Sequence, residues 1–227
     1  LVVGSVLYFI GNGWVAISFV LYKRRTKEQI YLPLLIPLAF VSGLIINLGI
    51  SLCVQSVRTS LLIGSIVSLS GLIHFSLYIY QTHRNYKVVW GSTDWWISVI
   101  FMCMIFLSPI ISFPIKGWDA RSIWFFHAKM IYAANNIGIS AGWQHTSVLF
   151  SHPDYPKLLS LLAAQIAYVA GFWNEYVPKL ALFIILIPVF MWLFNFAKWN
   201  FSFFTLLLLV PFSFYRVMWN GYMDGFL

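Results

Sequence analysis

The sequence predicts an all-α polytopic membrane protein, and three observations carry that reading. The chain of 227 residues is 61% hydrophobic and 9% charged, whereas a water-soluble domain is about 45–50% apolar and about 25% charged. Apolar runs of the roughly 20-residue length that crosses a bilayer recur at 2–22, 30–54, 59–81, 95–115, 156–173 and 177–197. Charged residues gather between these runs, and only His74 intrudes well inside one. About six full spans follow. A seventh stretch, 201–215, gives a helix of about 22 Å at 1.5 Å per residue, short of the ~30 Å hydrocarbon core. Interrupted by Pro211, it reads as a short or re-entrant segment.

Taken in order, the first three spans form an N-terminal transmembrane region, 1–94, and the rest a second region, 95–227, incomplete at its C-terminus. The connection "YKRRTKEQ" (22–29) carries four basic residues and one acid, and "QTHRNYK" (81–87) carries two more. Basic loops stay on the cytoplasmic side, so both are expected inside and "QSVRT" (55–59) outside. By the same parity the fourth span ends outside near Pro114, and the loop 115–155 is external. The turn holding Glu175 and Lys179 falls on the cytoplasmic side. The formal charge of +8 follows from this loop bias; no basic stripe or aromatic RNA-binding motif accompanies it, so no nucleic-acid partner is expected. Cys53 and Cys103 sit in apolar runs and read as buried free thiols.

The external loop is several times longer than any other connection, and long connections in compact proteins are functional or disordered. Trp118, Trp124, Phe125, Phe126, Tyr132 and Trp143 are too many aromatics for a solvated segment. From Asp119 onward Ile123, Phe126, Met130 and Ala134 recur at helical spacing. This predicts an interfacial amphipathic helix over 119–134, with Asp119 as its N-cap. The loop closes on His152-Pro153-Asp154-Tyr155-Pro156-Lys157, where the two prolines stiffen the chain and return it to the membrane surface. Carboxylates, a histidine and cations are thereby expected at one interfacial cleft.

"GWDAR" after a span, an aromatic interfacial helix, and "HPDYPKLL" at the start of the next span resemble the GT-C superfamily of membrane glycosyltransferases. Protein O-mannosyltransferases and lipid A aminoarabinose transferases are familiar members. The resemblance covers roughly 95–227. It implies transfer of a sugar from a polyprenyl-phosphate donor to an envelope acceptor (lipid, glycan or protein), with inversion, on the external face of a bacterial inner membrane. It places Asp119 at the catalytic acidic position and His152, Pro153, Tyr155 and Pro156 in the turn. It makes "NGYMD", ending in Asp224, similar to a later acidic loop motif. Ala120 stands where many members carry a second acid, Asp154-Tyr155 separates prolines that many members have adjacent, and the three leading spans are additional.

The residue types suit that chemistry. One carboxylate can act as general base on an acceptor hydroxyl, a contribution of about 10²–10⁴-fold. Arg121, Lys129 or Lys157 can stabilise the phosphate as charge builds on it. Asp154 is either a turn-former or a second site carboxylate, and His127 and His145 read as interfacial packing residues. A divalent cation is left open by the resemblance. A transporter would place charges within the spans, and another lipid-carrier enzyme, such as an O-antigen polymerase or ligase, would work on the same external carriers.

Overall fold

The structure, a computed structural model, describes residues 1–23, 30–83, 88–89, 92–112, 114–138 and 141–197. Among these residues the regular structure is helical apart from one two-residue parallel pairing and an isolated bridge between Ser56 and Asn136. The first three predicted spans appear as α1 (Val2–Lys23), α2 (Leu32–Val54) and α3 (Val57–His83). Proline in the first turn of α2 occupies a position where its missing N–H costs no helical bond. On α3 the large residues Leu62, Ile66, Leu69, Ile73 and Leu77 are exposed at intervals of three or four. Such a stripe would be an aggregation hazard in water; in a bilayer it is the lipid face. Four apolar stretches, Val2–Leu21, Leu32–Val54, Val57–Gln81 and Val177–Asn195, are long enough to cross a membrane.

The close packing of the first three helices depends on missing side chains. A Cβ at Gly13 would overlap the Ala39 carbonyl, and one at Gly43 would overlap the Phe9 carbonyl. Backbones in this contact approach as small residues allow in lipid, where apolar burial alone gives helices no reason to associate. Gly71 meets the Gly11 carbonyl in the same way on the α1–α3 side.

Two sets of backbone bonds define the ends of the bundle. At one end β1 (Ile30–Tyr31) pairs in parallel with β2 (Val88–Val89), Ile30 opposite Val88 and Tyr31 opposite Val89. This joins the connection before α2 to the one before α4 (Thr93–Ser112), the two connections that carry the basic runs. At the other end the α2–α3 turn is bound to the long loop: Val57 N–H donates to Asn135 O at 3.2 Å and Ile137 N–H to Gln55 O at 2.9 Å. The strands that follow the two basic runs thus pair at one end and the long loop is bound at the opposite one.

The predicted span at 156–173 does not cross. Its helix, α6 (Leu158–Ala170), has 13 residues, about 20 Å at 1.5 Å per residue. Near its start Ser160 Oγ donates to Trp124 O, and near its end Tyr168 Oη donates to Tyr132 O. Both acceptors belong to the loop helix, so α6 lies alongside that helix instead of traversing the bundle. Its middle is buried continuously from Leu159 to Ala167. The run is apolar because protein covers it. Gly171 at φ +82° ends it, in the left-handed conformation that favours glycine.

Because α6 does not cross, the elements after it start from the loop end. Ile115 N–H, just past α4, donates to Glu175 O at 3.2 Å, so Glu175 sits at the loop end and not at the basic end. α7 (Leu180–Ala197) starts there and packs along α4 and α2. The stretch 201–215 and Asp224 lie outside the described residues.

One polar cluster joins the leading spans to α6. Asn47 Nδ2 donates to Gln165 Oε1 at 2.9 Å, Gln165 Nε2 returns a bond to Asn47 Oδ1 at 3.1 Å, and Tyr8 Oη donates to the same oxygen at 2.9 Å. A double-mutant cycle with Asn47→Leu and Gln165→Leu, read by chemical unfolding in detergent, is expected to give a coupling of about 0.6 kcal/mol, the average for hydrogen bonds between membrane helices, and at most about 1.7 kcal/mol. Strict additivity would mean that the pair contributes nothing.

Candidate functional site

The loop is an ordered layer over one end of the bundle. It turns helical at 118–119, passes through a π-helical turn, Ala120–Trp124, and continues as α5 (Phe125–Ala134). In the π turn Phe125 N–H bonds to Ala120 O, an i to i−5 bond. Widened turns of this kind concentrate at functional sites.

The extra residue shifts the buried face. Ala120, Trp124, His127, Ala128 and Ile131 are buried, whereas the sequence-predicted stripe of Ile123, Phe126, Met130 and Ala134 is half-buried or exposed. Asp119 is not a cap: at φ −62°, ψ −34° it is already helical and makes no side-chain capping bond. It is half-buried at the head of the π turn.

After α5 the chain crosses back to a 3-10 helix, Thr146–Ser151, whose first turn is capped by His145 Nδ1 accepting from Ser147 N–H at 3.2 Å. The helix ends at His152, held at φ +52°. Its ring stacks on Tyr155 with centroids 5.1 Å apart and planes at 19°. Tyr155 in turn lies 5.5 Å from the Trp124 ring. This is the proline-bounded turn that the sequence marks out, packed onto the π turn.

Beneath it lies a cluster that periodicity did not single out. His127, fully buried, has Nε2 at 3.1 Å from Ser151 Oγ and Nδ1 at 3.2 Å from Lys157 Nζ. Ser151 Oγ places its one proton on Val148 O at 2.7 Å. His127 Nε2–H must therefore donate to Ser151, which leaves Nδ1 as the acceptor for the Lys157 ammonium. The imidazole is neutral: burial, then the Lys157 charge, push its pKa down to about 4. Ser151 is consequently a structural hydroxyl, because its proton points away from the imidazole that would have to take it.

Lys157 is anchored at several points. Nζ donates to His127 Nδ1 and to Pro153 O, and it stands 4.4 Å above the Trp143 ring. Burial lowers its pKa to about 8, with the Asp154 carboxylate opposing the shift. The result is a half-buried cation in a fixed position, next to exposed Asp154 and His152. A preorganised ammonium of this kind binds an anionic group without first ordering a flexible side chain.

Of the sequence-predicted residues, His152, Asp154, Tyr155 and Lys157 form one cluster. Asp119 stands at the other end of the π turn from Trp124; among the described residues no hydrogen bond or ion pair joins it to that cluster. Arg121 is exposed and its Nε donates to Ile115 O at 2.8 Å, so it fastens the helix start to the segment after α4. Lys129 is exposed, away from the buried face that meets the turn. Among the described residues no three of His, Cys, Asp and Glu converge as a metal-binding set. Sequence reasoning read His127 as an interfacial packing residue, counted Trp143 only among the loop's aromatics, gave no role to Lys179, which is fully buried at the loop end, and passed over Ser151. The available signal was the set Trp124, His127 and Ile131, as periodic as the stripe chosen.

No protein-family model matches this chain, and neither a curated protein nor a solved structure does. Fold and site define its class by themselves: a helical membrane protein with an ordered, aromatic, cation-bearing layer across one end.

Proposed function

We propose that the chain is part of an integral membrane glycosyltransferase of GT-C type, moving a sugar from a polyprenyl-phosphate donor to an envelope acceptor at the loop end. The observation that supports this best is Lys157, held at the membrane boundary by His127, Pro153 O and Trp143. In this reading a lipid-linked phosphate would meet that ammonium. The π turn that starts at Ala120, directly after Asp119, supplies the second wall. In this reading Asp119 takes the acceptor proton, Lys157 meets the phosphate, and His152 with Tyr155 offers an aromatic face for the sugar. Asp154 tunes the charge beside Lys157. Arg121 and Lys129 have secondary roles at most, and the loop end faces the periplasm of a bacterial inner membrane.

Two tests are decisive. In membranes holding the full-length protein, Asp119→Asn at matched expression is expected to abolish transfer of label from a polyprenyl-phosphate sugar while donor binding persists. Unchanged transfer would remove Asp119 from the chemistry. Donor binding is also expected to weaken as pH rises through about 8, the Lys157 value, where an ordinary lysine would hold its charge to about 10.5. A flat binding profile from pH 7 to 9 would exclude Lys157 as the phosphate ligand. The transport alternative draws on the buried amides Asn12, Asn47 and Gln165; these carry no charge, and the last two are bonded to each other.

A further inference from the structure

A separate recess opens on the side of the bundle, near the loop end and within the membrane-facing surface. Its volume is about 650 Å³, inside the roughly 300–1,000 Å³ of ligand sites. The first turns of α1 and α3 form two walls and the flank of α6 the third. The recess exists because α6 lies along α5 and does not cross the bundle, so the gap between α1 and α3 is bounded by a helix flank instead of a full span.

The chemistry of the lining selects the occupant. No acidic or basic side chain faces the recess, so a charged group gains nothing by going in. Of the four polar side chains in its lining, Ser5, Tyr8, Ser65 and Gln165, the last three are committed to protein partners. Tyr8 Oη donates to Asn47, Gln165 Nε2 to Asn47 and Ser51, and Ser65 Oγ to Leu61 O. A polar ligand would find few free donors there, while hydrocarbon loses nothing. Tyr8 can form this floor because residue 64 is glycine: a Cβ there would overlap the tyrosine hydroxyl. The rim residues Leu62 and Val169 are about 63% and 64% exposed. Leu62 begins the lipid-facing stripe of α3, so the opening is continuous with the surface the bilayer covers.

We propose that this recess holds one hydrocarbon chain of a bilayer phospholipid, seated between α1, α3 and α6 with its headgroup outside at the loop end. The acyl chain completes the packing of α6, the helix that follows Lys157. The inference is independent of the transferase reading, since it concerns only a lipid and a wall of three helices.

The test uses the full-length protein in phosphatidylethanolamine–phosphatidylglycerol vesicles with a trace of phospholipid bearing a mid-chain diazirine. After irradiation, adducts are mapped by mass spectrometry. The expected result is labelling of the α6 peptide severalfold above that of the Ile73–Leu77 face, which sees only bulk lipid. Gly4→Trp fills the recess from a position where a Cβ meets nothing within 4 Å. It should reduce α6 labelling severalfold and leave Ile73–Leu77 labelling unchanged. Val169→Trp at the rim serves the same purpose if Gly4→Trp fails to give a monodisperse protein. Labelling of α6 at or below the bulk level, or insensitive to both variants, overturns the proposal. Labelling by a diazirine polyprenyl phosphate with none by phospholipid overturns it as well, and assigns the recess to a carrier tail.

Discussion

Replacing His127 by leucine is expected to destabilise the protein by about 3 kcal/mol and to loosen the whole loop layer. Two groups lose one bond each: Ser151 Oγ loses the donor that faced it and keeps Val148 O, and half-buried Lys157 loses an acceptor and keeps Pro153 O. A hydrogen bond contributes about 0.5–1.5 kcal/mol and one to a charged group about 1.5–3 kcal/mol, and leucine's own apolar fit recovers only part of that. Lys157→Met is expected to cost less, because it removes a charge whose burial was already unfavourable. Thermal unfolding in detergent at pH 7 measures both; equal midpoints for His127→Leu and wild type would show that the cluster holds nothing together. The pH dependence has a definite sign. His127 titrates at about 4 when folded and at the ordinary 6.5 when unfolding returns it to water, so between these values the unfolded chain binds the extra proton. Stability contributed by the neutral imidazole is therefore complete above pH 6.5 and lost as pH falls toward 4, and His127→Leu should lack this component. Lys157 acts at the other end of the scale. Its folded value of about 8 lies below 10.5, so the unfolded chain holds more protons in that window and stability rises with pH across it.

The membrane architecture was legible because hydropathy and loop charge report directly on the bilayer. The runs at 2–22, 30–54 and 59–81 became α1, α2 and α3, and the basic loops predicted which connections meet at β1 and β2. α6 was misread for a physical reason. Hydropathy measures the absence of water, and Leu159–Ala167 is dry because protein surrounds it, a condition that sequence alone does not separate from lipid. That single misreading moved Glu175 to the wrong end. The site was legible in its turn, where His152, Asp154, Tyr155 and Lys157 do come together. It was not legible in its interior. A reading at 3.6 residues per turn cannot register a π turn, and the added residue carried His127 inward in place of the chosen stripe. A histidine among apolar neighbours gives no sign of being satisfied on both nitrogens, since one partner lies 24 residues away at Ser151 and the other 30 residues away at Lys157.

Gly13→Leu is expected to be the most damaging single change in the leading helices, preventing α1 from docking on α2. A Cβ at this position runs into the Ala39 carbonyl and the Gly43 amide. These are backbone atoms, so no rotamer change relieves the overlap. Overpacking in a side-chain core costs about 1–3 kcal/mol; here the helices themselves must separate, and the loss should exceed that range. Separation also pulls Phe9 from Phe40, whose rings lie 5.5 Å apart, and withdraws Tyr8 from Asn47, so the amide pair with Gln165 loses its third member. The damage therefore reaches α6 through Asn47. Intrinsic propensity argues the other way, since glycine in a helix interior is worse than alanine by about 1 kcal/mol. Gly49→Leu separates the two effects: it lies on α2, where a Cβ would meet nothing within 4 Å, and should be neutral or slightly stabilising. Gel filtration of the two variants in mild detergent, followed by thermal unfolding, makes the comparison. A monodisperse Gly13→Leu as stable as Gly49→Leu would mean that the α1–α2 approach is not the contact that holds the bundle.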